Sequence, residues 1–219
     1  MAGPTLNGLP LLVATIHEPI LGRWSARVEV DTDTAITGTA TLSFKAGEVE
    51  LVGHVHRGGL YSGRWMGTLL GGTGGLTSTV EPKAYRHCPL GLALTDLLSL
   101  TGETLHADSE DLSGWIVAHW QRMGGDATSV LHRLSDETGY TWRIGRDGTI
   151  WIGTDTFAEL DPEADKVGQA PELGVTSYAP RGAPLARPGT TIDDVEVHDV
   201  VTSLDGGSLR QEVWSASST

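Results

Sequence analysis

The chain has 219 residues, 39% of them hydrophobic and 20% charged, which is enough apolar content for one large or two small cores and argues against disorder. Its 28 acidic and 15 basic residues leave a formal net charge of -13, which argues against a protein that grips nucleic acid through phosphates, because that mode needs clustered lysine and arginine. The single cysteine, Cys88, excludes an intrachain disulfide framework and reads as a small apolar filler, so stability must come from packing or from association.

From residue 11 to residue 70 the pattern is a run of short strands at 12–17, 24–30, 37–44, 49–55 and 64–69. Pro19, Gly22, Asp31 to Asp33, Gly47 and Gly58-Gly59 fill the gaps. This spacing predicts a small antiparallel barrel or sandwich. The 29 glycines, and seven tryptophans against two phenylalanines, fit many turns and indoles that close small cores or lie at contacts.

Gly71-Gly72-Thr73-Gly74-Gly75 then interrupts. A phosphate-binding loop would need Gly-Lys-Ser/Thr before a helix, or a βαβ setting, and neither is present; the expected role is a chain crossing with close backbone approach. Beyond Pro89, Leu92, Leu94, Leu97, Leu98 and Leu100 predict a buried helix that Gly102 ends. Residues 103–111 read as a solvated acidic loop, and 115–121 as a strand.

The most legible stretch is 126–153. Val130, Leu131, Leu134 and Thr138 fall on one helical face, with His132, Arg133, Asp136 and Glu137 on the other, and Gly139 is a left-handed stop. Tyr140, Trp142 and Ile144 then alternate with polar residues, Arg146-Asp147-Gly148 supplies a turn, and Ile150 and Ile152 resume the alternation. After Thr154 the chain turns polar, with Pro162, Pro171, Pro180, Pro184 and Pro188 among acidic residues, as in a long connection. Val195, Val197, Val200 and Val201 lead through Asp205-Gly206-Gly207 to Leu209, Val213 and Trp214, a terminal hairpin returning to the first barrel.

The expected fold is therefore α+β, predominantly β, with two small barrel-like β domains and two helices packed on a hairpin. Residues 1–76 form the first barrel-like domain, completed by 188–219. Residues 77–160 form an α+β domain with helices near 91–101 and 127–138 and a hairpin at 140–154, and 161–187 form a Pro-rich acidic linker.

Reactive constellations are sparse. His54 and His56 share a strand face but lack a third ligand at a recognisable spacing. His87 and Cys88 diverge in an extended segment, and the acidic runs at Glu29, Asp31 and Asp33 and at Asp193-Asp194 are the usual solvated faces of an acidic protein. No Gly-x-Ser-x-Gly motif occurs. The expectation is a protein that is not an enzyme, with no cofactor and no metal. No basic residue precedes Arg23, and the apolar run 9–16 is broken by Pro10, unlike a secretory signal. Residues 65–80 are too rich in Gly and Thr to span a membrane, so membrane insertion is not expected and the chain is expected to be made in the cytoplasm.

In order, the pieces are a small β domain ending in Arg-Trp-Met-Gly-Thr-Leu-Leu-Gly-Gly-Thr-Gly-Gly-Leu, a leucine helix after Tyr85-Arg86, and a helix leading to Gly-Tyr-Thr-Trp-Arg-Ile and Asp-Gly-Thr-Ile-Trp-Ile. That order resembles the tail hub, or late-control-type, baseplate proteins of bacteriophages and related contractile injection systems. The likeness covers most of the chain through loose patterns of apolar and glycine positions. It implies a homotrimer whose barrel-like domains alternate into a ring between tail tube protein and central spike protein, beside other baseplate proteins in the virion. It also implies that DNA passes without specific nucleic-acid binding, and that the chain has no catalytic residues. The contact or lumen positions expected for such a role are Arg57, Arg64, Gly71, Gly72, Gly74 and Gly75, with Asp193 and Asp194 in the stretch 193–199. A competing class is a glycan- or receptor-binding β module using Trp24, Trp65, Trp115, Trp120 and Trp214 as stacking platforms; a third is a cell-wall hydrolase.

Overall fold

The computed structural model describes residues 3–161 and 164–215; Pro162 lies outside them. Among the described residues strand accounts for 51% and helix, short 3-10 turns included, for 17%, with two α-helices, so the fold is the predominantly β, α+β class expected.

Six strands close the first barrel: β1 (Thr5–Leu6), β2 (Leu9–Pro19), β3 (Ser25–Val30), β4 (Thr39–Phe44), β5 (Val49–Tyr61) and β6 (Arg64–Gly71). They run in the ring order β1-β4-β5-β6-β3-β2, and β1 pairs with both β4 and β2. Alternation turns Ala14 and Ile16 of β2 inward while Val13, Thr15 and His17 face out. Trp24 and Trp65, each 1% exposed, fill the interior with Phe44, Leu51 and Leu69.

The glycine and tryptophan counts have one shared cause. A Cβ on Gly58 or Gly67 would lie 2.3 or 2.2 Å from the Trp65 ring, and one on Gly53 or Gly71 would lie 2.8 or 2.6 Å from Trp24. Glycine clears the strand floor on which each indole lies. This corrects the expected turn at Gly58-Gly59: both residues continue β5, and the chain reverses at Ser62 and Gly63, with φ of 50° and 77°.

The next segment holds β7 (Thr79–Val80), β8 (Lys83–Pro89), α1 (Leu90–Thr101), β9 (Ile116–Arg122), β10 (Gly125–Asp126), α2 (Ala127–Thr138), β11 (Thr141–Ile144) and β12 (Ile150–Gly153). Helix α1 ends where Gly102, at φ 70°, donates its N–H to the Leu98 carbonyl; α2 starts on the Asp126 side chain and ends at Gly139, φ 74°. The α2 residues Ala127, Val130, Leu131 and Leu134 are buried, as are Trp142, Ile144, Ile150 and Ile152 of the hairpin. The hairpin is fastened to the barrel through its backbone. Gly22 exchanges hydrogen bonds with Trp142 and Ile144, at 2.8 and 2.9 Å, and Val52 donates to the Arg146 carbonyl at 2.7 Å.

The remainder is β13 (Ala158–Glu159), β14 (Ala164–Ala170), β15 (Val175–Pro180), β16 (Thr190–Ile192), β17 (Val195–Glu196), β18 (Asp199–Asp205) and β19 (Ser208–Trp214). Two expectations change here. Within residues 161–187, read as a linker, β14 and β15 form a hairpin. Pro171 sits in its turn and Pro180 ends its second strand, so the prolines leave two strand-length windows intact. The terminal hairpin β18–β19 does pair with β2, yet the barrel is closed by β1 rather than by 188–219. Instead β18 and β19 carry the sheet on to β15 and β14 and cover a second core of Tyr178, Ala186, Ile192, Val197, Val200 and Val213.

Candidate functional site

A recess of about 700 Å³ opens where the end of β2, the β11–β12 turn and residues 187–190 meet. Glu18 reaches it on the inward side of β2 and is 6% exposed. Arg146 reaches it from the turn. Its Nε and Nη2 donate to the two carboxylate oxygens of Glu18 at 2.7 and 2.8 Å, and Nη1 and Nη2 also donate to the Pro184 and Ala186 carbonyls at 2.7 Å. Beside it Arg143 pairs with Asp155 at 2.7 Å and lies 4.2 Å from the Trp151 ring centre. Gly189, at φ 80°, closes over that pair; a Cβ there would sit 2.3 Å from Asp155 Oδ1. At the rim, the His106 ring lies 3.7 Å from Asp147 and 3.9 Å from Asp108. The deep charges are matched in plus–minus pairs, so this arrangement can bind chain segments together, and its chemistry is that of a joint.

The residues singled out in the sequence fall in three separate places. Gly71, Gly72, Gly74 and Gly75 form the close approach expected of them, but to parts of the same chain: a Cβ on Gly75 would lie 1.8 Å from the Thr101 carbonyl oxygen, and one on Gly74 3.0 Å from the His54 ring. Glu103 fills the glycine loop with a carboxylate of the chain itself. Its carboxylate, 4% exposed, accepts the N–H groups of Thr73 and Leu76 at 2.9 and 3.3 Å, occupying the nest an external anion would need. Glu103 is thus buried, against its reading as part of a solvated loop. Arg57 and Arg64 are exposed on β5 and β6, with Arg64 paired to Glu29. Asp193 and Asp194 form the tight β16–β17 turn at φ 51° and 63°, and Asp193 accepts from the Tyr178 hydroxyl at 3.1 Å. Burial, and then that bond, push the Tyr178 phenol up to about 12.

Glu18, Arg143, Arg146, Asp155 and Glu103 are not among the site positions expected from the sequence, where Arg146 reads as a turn residue, Glu103 as part of an acidic loop, and the others as charges among many. The Glu18–Arg146 contact spans 128 positions, and no local pattern announces it. Elsewhere, burial and a hydrogen bond to Asp96 push Tyr85 up to about 12, while Lys83 and Tyr85 hold the Asp96 carboxyl below its usual range. Burial lowers His54. Among the described residues no group of three or more His, Cys, Asp or Glu is placed to hold a metal ion, and no helix is long and apolar enough to cross a membrane. Of the five tryptophans considered as glycan platforms, Trp24, Trp65 and Trp120 are buried in the core.

No protein-family model and no curated protein matches the chain. Solved structures do. The E. coli c3393 protein, a type VI secretion system component described as structurally similar to the T4 bacteriophage tail proteins gp27 and gp5, aligns with a TM-score of 0.68 at 14% identity, over 99% of this chain and 78% of that one. The 43 kDa tail protein of prophage MuSo2 from Shewanella oneidensis aligns at 0.67 and 11% identity, over 96% and 95%. A tail protein from Neisseria meningitidis MC58 aligns at 0.64 and 11%, over 99% and 97%. At such identities the likeness is one of fold, and the fold is that of phage-tail and type VI secretion tail proteins.

Proposed function

We infer that the chain is a non-enzymatic structural subunit of a phage tail or baseplate, a hub that assembles as a ring of three copies, joins tail tube to central spike and lets DNA pass. The likeness in fold to tail proteins supports the tail setting. One observation carries the ring. The strands β5-β6-β3-β2-β18-β19-β15-β14 form a continuous run of paired strands across both cores, with one open edge on β14 and another on the end of β5 that projects beyond its pairing with β4. At one end β14 pairs, among the described residues, only with β15, and Val167 and Leu173 stand exposed on that hairpin. At the other, β5 runs past the end of β4, and its last residues carry exposed Leu60 and Tyr61. Unlike edges at opposite ends favour head-to-tail contact between copies, which closes into a ring when the rotation allows.

Native mass measurement of the purified protein, alone and with a spike partner, tests this. A three-chain species is expected, and a persistent monomer in both samples would overturn the ring. The glycan-binding alternative loses most of its stacking platforms to the core, and titration of tryptophan fluorescence with bacterial surface polysaccharides should give no saturable quenching. Peptidoglycan zymography should likewise give no clearing.

A further inference from the structure

The face of the long sheet that looks away from both cores carries one cross-strand row whose chemistry differs from the rest of this acidic chain. In register across six strands it reads Arg210 on β19, Ser203 on β18, Thr15 on β2, Arg27 on β3, Thr68 on β6 and Arg57 on β5. Arginine and hydroxyl side chains share this row with no carboxylate. Arg27, Arg57 and Arg210 are all exposed, and none has an ion pair, hydrogen bond or ring contact among the described residues. Strand spacing sets Arg57 about 10 Å from Arg27, and Arg27 about 14 Å from Arg210.

The backbone itself aims one of these charges. A bulge in β5 between Val55 and Arg57 shifts the register, so that Val55 pairs with inward Leu69 and Arg57 with outward Thr68. Without the extra residue Val55 and Arg57 would share a face, and Arg57 would point at the core. The flanking rows hold Glu29, Asp205 and Glu212, and Glu29 is already engaged by Arg64.

We propose that this row is a phosphate-contacting track, which binds the phosphodiester backbone of nucleic acid weakly and without regard to sequence. The proposal rests on the reading of the chain as a hub that DNA traverses. Arginine forks and hydroxyls are the usual donors to phosphate oxygens, and they position a backbone without reading bases. The row has no buried aromatic or aliphatic anchor, which disfavours a protein partner, since such interfaces concentrate their affinity in packed anchors. The net charge of -13 and the flanking carboxylates keep the contact weak, so a moving polyanion is guided and released. Net charge hides this track because clustering arises from strand register.

Fluorescence anisotropy with a short duplex, a single strand of equal length and polyglutamate tests it. Three phosphate contacts predict that duplex affinity falls about 40-fold between about 50 and 200 mM salt, with a shallower fall for the single strand. The R27A/R57A/R210A chain should lose at least about tenfold at the lower salt and most of the salt dependence, R27K/R57K/R210K should retain binding, and R86A/R181A should match the wild type. Absence of duplex binding by the wild type at low salt, duplex binding that survives the triple alanine substitution, or preference for polyglutamate would each overturn the track. Native mass of the same samples separates the two ideas: a ring that forms with no row-dependent binding sinks the track alone, and row-dependent binding by a chain that never forms a ring sinks the ring alone.

Discussion

Arg146 and Glu18 join parts of the molecule that lie 128 residues apart, through a two-pronged ion pair that also anchors the carbonyls of Pro184 and Ala186. Ala186 in turn exchanges hydrogen bonds with the Gln211 side chain, which donates to Thr202 at 3.0 Å between the two cores. Barrel, hairpin and second core therefore meet on a single guanidinium. Arg146→Ala would leave a buried carboxylate unpaired, which costs roughly 3–5 kcal/mol. Denaturant titration should show that loss, and Arg146→Lys should recover only part of it, because an ammonium cannot reproduce the fork. A loss below about 1 kcal/mol would show that the joint is not a principal tie.

Glu103 organises the glycine loop by accepting two backbone N–H groups while buried. Glu103→Ala should destabilise the fold by about 2–3 kcal/mol, in line with hydrogen bonds to a charged group. Hydrogen exchange should report faster opening at Thr73 and Leu76, with the terminal hairpin unaffected.

Gly67→Ala should be costly without changing polarity, since the added methyl would meet the Trp65 ring. Overpacking of this kind costs typically about 1–3 kcal/mol. Combining it with Trp65→Leu should give less than the sum of the two single effects, because the smaller side chain makes room. Strict additivity would mean that the glycine serves some other purpose.

Stability should fall as pH drops below 6.5 because of His54. Burial holds its folded pKa below the ordinary 6.5, assisted by the charge of Arg23 and opposed by a backbone bond to Gly72 and by Glu103. Between 6.5 and that lower value the unfolded chain binds more protons than the folded one, so stability present above 6.5 is lost on acidification. Melting temperatures of the wild type and of His54→Gln across this range should diverge, the variant being flatter. Parallel curves would remove His54 as a cause.

By itself the sequence determined the elements whose signals are local. The 3.6-residue apolar spacing of Val130, Leu131 and Leu134 with Gly139 beyond it, the alternation of Trp142, Ile144, Ile150 and Ile152 about Asp147-Gly148, and Gly206-Gly207 in the last hairpin each lie within a dozen residues. They sufficed for the fold class and for a resemblance of fold. Tertiary structure alone decided that β1 closes the barrel, that Gly58 continues a strand because Trp65 lies across it, and that Glu103 fills the glycine loop. It also brought Arg27, Arg57 and Arg210 into one row, through strand register and a bulge. The physical reason is range: helix and turn preferences act between near neighbours, whereas a charge pair, a steric clearance or a cross-strand row exists only once distant strands have chosen their partners.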